Sequence, residues 1–492
     1  METNRLTKIA SSAIRRRGGK VHLIGIAGSG MSALAVLFKE SGWNVTGSDA
    51  NSFEPIPTYL QKNKIFFYKK YDAKNIPKNV DLVIMGNNIP LALKENPEKK
   101  FVIRSGVPIQ SLPEALAMLS KDTENIVVAG SSGKSTCATL LAWCLFKAKK
   151  DPSYFIGALP LDLKHSSHLG SGKDFVLEGD EYTSAKDDRR SKFLHFYPAS
   201  VLLTSVTHDH INIFPTEKSY KAPYKKLVAK IPQHGLLVYS LEGKNNKEIS
   251  KYAKSKKVSY SLSNKKPARH GGADYYAQNI KFGLQSSFDL LYQGKKIATI
   301  KTKLLGKHNI ENIIGVAALL LENKKITPKV FAEAVNSFHG IQNRIELLSK
   351  NSTIPVYAGL GSSYEKARSI FDAMHLHFPK KRLIAVFEPH AFSWRNRKFL
   401  EWYRNIFDNV NEVVMLPTIS RGKKAKGQLT TKEVWDAVKK YRNIHTAKSE
   451  KDALQIIKKI VKSSDVVALV SSGPMLGLTK SVPKLFAKKS WL

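Results

Sequence analysis

Gly130-Ser131-Ser132-Gly133-Lys134-Ser135-Thr136 carries the clearest chemistry in this sequence. Two glycines allow a backbone to curl so that successive N–H groups point at phosphate oxygens. Lys134 adds a full positive charge, and a hydroxyl directly after it, on Ser135 or Thr136, can ligate Mg²⁺. The pattern is a shortened G-x-x-G-K-S-T, because Ala129 stands where the longer phosphate loop has its first glycine. An ordinary Gly/Ser strand–helix turn is the competing reading. The lysine and the elements around it favour a nucleoside triphosphate site.

Four other groups of residues are candidates for chemistry. Glu178, Asp180 and Glu181 follow the apolar run FVL, and carboxylates at the end of a strand suit Mg²⁺ held against a triphosphate, with a solvated acidic turn as the alternative. In His208-Asp209-His210 the histidines are two apart and cannot share a helix face, so zinc is weakly supported; one of them is expected to meet phosphate or metal-bound water. His308, Asn309 and Asn312 open a helical stretch where a base or ribose could be met, although Asn309 is also a good helix cap. His390, Arg395 and Arg397 follow V-F-E-P and are expected to meet an anionic group, while SSGPMLG (471–477) is a second glycine-containing strand end.

The elements that must hold these residues are legible as an alternation of strand and helix. Ile126–Ala129 reads as a buried parallel strand feeding the phosphate loop, with an apolar helix behind it. Nearer the start, HLIGI runs into Gly25, Gly28 and Gly30, then a helix, then NVTGSD ending in Asp49. That order is the β-turn-α-β opening of a dinucleotide or nucleotide-sugar sheet, in which an acid holds a ribose hydroxyl. The spacing G-x-x-G-x-G disfavours a plain nicotinamide site. DLVIMG (81–86) and an edge strand FVIRSG (101–106) are expected to extend that sheet, and SKDTEN (120–125) to be a linker. Residues 230–300 alternate strand-like runs with polar turns and predict a β-rich subdomain. From Phe338 onward, TIPVYAG, RLIAVFEP, EVVMLP and DVVALVSSG predict a third α/β unit.

Length and composition agree with three domains: 492 residues, 42% hydrophobic, with no run approaching the ~20 apolar residues of a membrane span. The segment METNRLTKIASSAIRRRGGK is basic without an apolar core, which argues against a secretory signal. Cys137 and Cys144, seven apart on the helix after the phosphate loop, read as core thiols in a reducing compartment, the cytoplasm. The charge is unusual: 79 basic residues against 40 acidic ones, a net +39. Such a field attracts polyanions. The lysines, however, are scattered, with short clusters at KYAKSKK (251–257) and RGKKAKG (421–427), so a lysine-rich surface is the simpler reading.

Taken in order, these motifs resemble the Mur ligases, ATP-dependent enzymes that join amino acids or peptides to UDP-N-acetylmuramate. The resemblance spans nearly the whole chain. G-I-A-G-S-G-M-S with G-S-D is similar to that family's UDP-binding start, and A-G-S-S-G-K-S-T to its G-T-H-G-K-T-T loop. L-E-G-D-E-Y, R-R-S-K-F, F-E-P and S-S-G-P-M-L-G lean toward the murein-peptide ligases of cell-wall recycling; the histidine of F-E-P-H leans toward the alanine-adding ligases.

The resemblance implies an α/β protein of three domains: a Rossmann-like UDP-sugar domain (1–122), a central P-loop ATPase-like domain (123–337) and a Rossmann-like C-terminal domain (338–492). It implies ATP and Mg²⁺ as cofactors, an acyl-phosphate reaction, and UDP-N-acetylmuramate with a murein peptide as substrates. Nucleic acid and membrane are not expected partners, and a monomer or weak dimer is expected. Residue by residue, it places Gly130, Ser131, Ser132, Gly133, Lys134, Ser135 and Thr136 on the phosphates, and Ser135, Glu178 and His210 on metal. Lys134, Glu178 and His210 become the catalytic set; Asn309, Asn312 and Arg344 serve the nucleotide. Gly28, Ser29, Gly30, Met31, Ser32 and Asp49 meet the UDP-sugar, and His390, Arg395 and Arg397 the peptide.

The chain departs from the family pattern at three places. Where the family reads D-D-F-A-H-H-P, this chain has Ala358-Gly359-Leu360-Gly361-Ser362-Ser363-Tyr364; N-N-L-E becomes Thr204-Ser205-Val206-Thr207; and the loop histidine is Ser132. These changes keep open a homologue that binds UDP-sugar or nucleotide without turnover, and the charge keeps open a polyanion-binding protein on the same scaffold.

Overall fold

In the computed structural model, residues 18–487 are described, except 88–95, 186, 211–212, 264–270, 343, 350–351, 353, 419–426 and 441–443. The basic segment at 1–17 and most of the RGKKAKG cluster lie outside the described residues. Contacts divide the chain into two compact units, one of residues 1–278, 289–300 and 311–338, the other of 279–288, 301–310 and 339–492.

The first sheet is parallel: β1 (Lys20–Ile24), β2 (Asn44–Ser48), β3 (Phe66–Tyr68), β4 (Leu82–Met85) and β5 (Ile109–Ser111), in the order β3-β2-β1-β4-β5. Helix α1 (Ser29–Glu40) follows the glycine turn and buries Met31 through Phe38 without a break, as a helix enclosed on all sides does. The expected strand FVIRSG is instead helix α2 (Pro97–Ser105). Asn96 caps it by accepting from Glu98 N and Lys99 N, Pro97 occupies the first turn, and Gly106 closes it at φ 71°. These end signals override the short β-branched run, and only Glu98 and Val102 of the helix are buried. Strand β5 takes the sheet edge, and helix α3 (Leu112–Ser120) leads to the short connection before the second sheet.

The second sheet has ten strands: β6 (Glu124–Ala129), β7 (Ser153–Phe155), β8 (Ser167–His168), β9 (Asp174–Glu178), β10 (Pro198–Leu203), β11 (Leu236–Ser240), β12 (Lys256–Ser261), β13 (Tyr275–Lys281), β14 (Ser286–Tyr292) and β15 (Lys295–Thr302). Their order is β15-β14-β13-β12-β11-β10-β6-β9-β7-β8. Residues 230–300 therefore form no separate subdomain: β11 to β15 extend the sheet that carries the phosphate loop. At its centre β6 pairs in parallel with β9 and β10, so the loops after all three strands emerge at one edge. Helix α4 (Lys134–Lys147) returns along the sheet, with Cys137 and Cys144 fully buried and their thiols pushed up by that burial. Helix α5 (Lys307–Glu322) follows β15.

The third sheet comprises β16 (Glu346–Leu347), β17 (Val356–Leu360), β18 (Leu383–Phe387), β19 (Glu412–Met415), β20 (His445–Thr446) and β21 (Val466–Ser471). Its order is β16-β17-β21-β18-β19-β20, parallel except for β16. Helices α6 (Tyr364–His377) and α7 (Thr431–Lys439) cover one face with Phe371, Met374 and Val434, while α8 (Glu450–Ile460) and α9 (Leu478–Leu485) cover the other with Ile457 and Leu478. Among the described residues, no helix is long and apolar enough to cross a membrane.

Candidate phosphate-transfer site

The phosphate loop leaves β6 through Gly130 at φ 140° and enters α4 through Gly133 at φ 77°. Side chains are excluded at both glycines. A Cβ on Gly130 would lie 2.1 Å from Thr204 Oγ1, and one on Gly133 would lie 2.6 Å from Asn312 Oδ1. Hydroxyls fasten the loop to the segment after β10: Ser131 Oγ donates to Thr207 O (2.9 Å), Thr204 Oγ1 donates to Ser132 O (2.6 Å), and Ser132 Oγ meets Ser205 Oγ at 3.3 Å. The residues that replace the family's histidine and N-N-L-E run thus serve as a staple for the loop.

Lys134 Nζ donates to Gly130 O at 2.6 Å and to Glu181 Oε2 at 3.0 Å. The other Glu181 oxygen lies 3.2 Å from His210 Nε2, and His210 Nδ1 meets Tyr182 OH at 2.9 Å. Glu181 is 1% exposed. Burial alone would raise its carboxyl; the His210 hydrogen bond and the Lys134 charge outweigh burial and hold it at about 2. Beside this chain, Ser135 Oγ donates to Glu178 Oε1 (2.7 Å), and Gly157 N donates to Glu178 Oε2 (2.6 Å). A hydroxyl and a carboxylate converging at a helix N-terminus are hard oxygen donors that fit Mg²⁺. His210 is less free to ligate, because both ring nitrogens already face partners. His208 turns away, its Nε2 donating to Phe214 O at 2.7 Å.

Sequence reasoning missed the part played by Glu181, which links lysine and imidazole, and by Tyr182, which orients that imidazole. Both lie within four residues of Glu178, but only the fold shows that Lys134 faces Glu181 rather than Glu178. Among the described residues, one other cluster has metal-ligand types, Glu114 with Asp188 and His195. Its carboxylates are already committed, Glu114 to Ser111 and Asp188 to the Arg190 guanidinium.

The remaining candidates are dispersed. Gly28 caps α1 and Ser29 begins it, so Ser29, Gly30 and Met31 present open backbone N–H groups at the helix N-terminus, while Gly28 N donates to Gly25 O and Ser32 N to Gly28 O. Asp49 accepts from Ala27 N (3.0 Å) and Asn51 N (2.9 Å), holding the glycine turn in place. Burial and Asp49 push the nearby Tyr71 phenol up to about 12. On α5, Asn312 touches the phosphate loop at Gly133, whereas Asn309 donates back to Leu305 O at 2.8 Å. Burial, followed by the Arg344 charge, lowers His308 to about 4. In the third sheet's loops, Arg397 is paired with Glu433 and Arg395 Nη1 donates to Gln428 Oε1 (3.3 Å). His390 Nδ1 lies 4.0 Å from the Glu388 carboxylate, so His390, Arg395 and Arg397 do not converge on one anion site.

The altered segment at 358–364 is closely packed. Trp394 Nε1 donates to Gly361 O (2.7 Å), Ser393 Oγ donates to Ser362 O (3.2 Å), and Ser363 caps α6. A Cβ on Gly359 would lie 2.5 Å from Ile370.

Residues 20–123 match the Mur ligase family catalytic domain, and residues 128–320 the Mur ligase middle domain. The UDP-N-acetylmuramate–L-alanine ligase of Dictyoglomus turgidum is 30% identical over 465 residues, covering 92% of this chain and 94% of that protein. The UDP-N-acetylmuramate–L-alanyl-γ-D-glutamyl-meso-2,6-diaminoheptandioate ligase of Escherichia coli is also 30% identical, over 379 residues, covering 76% of this chain and 79% of its own length. In fold, the chain is similar to the UDP-N-acetylmuramate–alanine ligase of Thermotoga maritima, with a TM-score of 0.74 at 22% identity over 95% of this chain and 98% of that one. The architecture is accordingly the three-domain α/β fold of that structure. With its phosphate loop, its carboxylate–imidazole pair and these two relatives, the chain belongs to the Mur ligase family of ATP-dependent ligases.

Proposed function

We propose that this protein joins a murein tripeptide, L-Ala-γ-D-Glu-meso-diaminopimelate, to UDP-N-acetylmuramate in peptidoglycan recycling. A carboxylate oxygen of the muramate lactyl group attacks the γ-phosphorus of ATP, and ADP leaves. The peptide amine then attacks the acyl phosphate, so that an amide forms and phosphate leaves. The observation that carries the reading is the chain Lys134–Glu181–His210 set beside Ser135–Glu178, all at the edge where β6, β9 and β10 end. Phosphoryl transfer between two anions needs charge compensation and alignment more than a protein nucleophile. Lys134 and the loop N–H groups provide the first, and the hydroxyl staple keeps the loop aligned.

Ser135 and Glu178 would hold Mg²⁺, which supplies charge neutralisation at the phosphates. Gly28–Ser32 would bind the UDP-sugar pyrophosphate at the start of α1, with Asp49 fixing that turn. Asn312 at Gly133, together with Asn309 and Arg344, would serve the nucleotide. In this reading the domains run 1–122, 123–337 and 338–492, and the enzyme acts in the cytoplasm.

L-Alanine is the second reading for the acceptor, favoured by a relative of that name aligned over nearly the whole chain. The altered 358–364 segment favours a third, ligand binding without turnover. ATP-dependent phosphate release tests all three, measured with UDP-N-acetylmuramate plus either the tripeptide or L-alanine. Turnover with the tripeptide that Lys134→Ala abolishes is the expected result. Release with L-alanine alone would transfer the assignment to the alanine-adding reaction. Background release with both, while UDP-N-acetylmuramate still raises the Tm, would leave only binding.

A further inference from the structure

We propose that Tyr71 is a positioning residue of the UDP-sugar site, held in place by the buried carboxylate of Glu98 and acting through Asp49. The proposal rests on the ligase reading and deepens it. Strands β1, β2 and β3 are parallel neighbours, so the segments that follow them leave the first sheet at one edge. The glycine turn follows β1, Asp49 follows β2, and Tyr71 lies just beyond β3.

The three segments meet at the Asp49 carboxylate, which is 8% exposed. Its Oδ2 accepts from Ala27 N (3.0 Å), and its Oδ1 accepts from Asn51 N (2.9 Å) and from the Tyr71 hydroxyl (3.4 Å). The two oxygens of a carboxylate offer about four acceptor sites, so three protein donors leave one for a hydroxyl of the nucleotide sugar. Burial and the Asp49 charge push the Tyr71 phenol up to about 12, which keeps it a donor through the neutral and alkaline range. At 3.4 Å the bond is weak and adds little to stability. Its effect is on the direction in which the remaining acceptor site points.

Tyr71 is aimed from behind. Glu98, on α2, is fully buried. Its Oε1 accepts from Asn75 Nδ2 (2.7 Å) and Asp72 N (3.2 Å), and its Oε2 accepts from the Ser48 hydroxyl. Asn75 Nδ2 also donates to Lys70 O (2.8 Å), and Asn75 N donates to Asp72 O (2.9 Å). The carboxylate thus closes residues 70–75 into a fixed loop around Tyr71 and ties that loop to Ser48, the residue before Asp49. Burying a carboxylate is costly unless its oxygens are engaged. Here each of the three donors belongs either to the loop that carries Tyr71 or to the strand that ends beside Asp49. The Tyr71 ring packs against the cluster of Ile24, Ile76, Val80, Val83 and Val102, so phenylalanine at 71 keeps the packing and loses only the hydroxyl.

The full-length protein is titrated calorimetrically with UDP-N-acetylmuramate and, separately, with MgADP. Tyr71→Phe is expected to raise the Kd for UDP-N-acetylmuramate about five-fold, with the MgADP Kd and the Tm unchanged. In the phosphate-release assay the KM for the UDP-sugar should rise by the same factor while kcat changes less than about two-fold. Added to Asp49→Ala, Tyr71→Phe should have almost no further effect, because the hydroxyl acts through that carboxylate. Asn75→Ala cuts the loop from Glu98 without removing the carboxylate; it should match Tyr71→Phe, and the double variant should bind no more weakly than either single one. Effects that multiply in either pair would overturn the proposal. So would unchanged UDP-sugar binding by Tyr71→Phe, or a lowered Tm with both ligands weakened alike, the mark of a merely structural tyrosine. If the wild type does not bind UDP-N-acetylmuramate, the ligase reading fails by itself, and UDP alone decides the site. UDP binding weakened about five-fold by Tyr71→Phe supports the proposal; equal binding, or none by the wild type, overturns it.

Discussion

Glu181→Gln keeps the side chain's volume and removes the charge that holds Lys134 and His210 together. In the wild type the carboxyl lies at about 2 against an ordinary 4.5, despite a burial that would raise it. The displacement corresponds to about 3 kcal/mol of preference for the ionised form. Because the folded-state value lies below the unfolded one, this contribution is complete above about 4.5 and is lost only as the pH falls toward 2. At neutral pH all of it is present. With an amide at 181, the Lys134 ammonium, 17% exposed, has no counter-charge, and the ligand-free protein should lose about 2–3 kcal/mol. Nucleotide phosphates supply the missing charge, and the variant's lysine has no carboxylate to leave. Differential scanning calorimetry with and without saturating MgADP should therefore give a larger ligand-induced rise in Tm for the variant than for the wild type. Titration should give a Kd about ten-fold lower, equivalent to ~1.4 kcal/mol. Equal rises in the two proteins would refute the idea that Lys134 exchanges Glu181 for phosphate. An unchanged Tm in the ligand-free variant would refute the weight given to the ion pair.

Gly130→Ala forces a Cβ to within 2.1 Å of Thr204 Oγ1 at φ 140°, so a loss of at least ~2 kcal/mol and of the MgADP-induced rise in Tm is expected by calorimetry. Asp49→Ala removes the acceptor for Ala27 N and Asn51 N; the Kd for UDP-N-acetylmuramate should rise at least ~ten-fold by titration while MgADP binding stays unchanged. Trp394→Phe breaks the bond to Gly361 O and should lower stability by about 1–2 kcal/mol in thermal unfolding, measurable without any substrate. The net charge of +39 should give weak binding to mixed-sequence duplex DNA that disappears by ~0.15 M salt in fluorescence anisotropy; binding that persists there would favour the polyanion reading.

The strands that carry the site were legible because each is a continuous apolar run ending in residues of special type. Ile126–Ala129 into Gly130, and FVL into Glu178, are cases in which the local pattern and the buried parallel environment agree. FVIRSG failed because periodicity over six residues cannot separate an edge strand from a short helix, whereas the end signals at Asn96 and Gly106 can. Tyr275–Lys281 is the opposite case. Its YYAQNIK carries polar residues along its length, and only pairing beside β12 makes it a strand. The same pairing turned an expected subdomain into an extension of the central sheet.

The site divides along the same line. The phosphate loop could be read because its constraints are local: positive φ at two glycines, then a lysine and a hydroxyl at the start of a helix. The partners of those residues could not. Lys134 is 47 positions from Glu181, Ser131 is 76 from Thr207, and Glu388 is 83 from Ser471. None of these pairs is implied by spacing; each exists because parallel pairing brings separate strand ends to a common edge. The departures from the family pattern are read in the same way. Ser132 and Thr204–Thr207 look like losses when set against a histidine and a carboxylate, yet in the fold the hydroxyls of Ser132, Thr204 and Ser205 and the backbone of Thr207 bind the loop to the segment after β10. A substitution at a strand end has to be judged by what the neighbouring strand end supplies. By that criterion the phosphate loop retains its anchorage, and the 358–364 segment, whose Gly361 and Ser362 carbonyls are taken by Trp394 and Ser393, is the one departure for which the fold offers packing in place of chemistry.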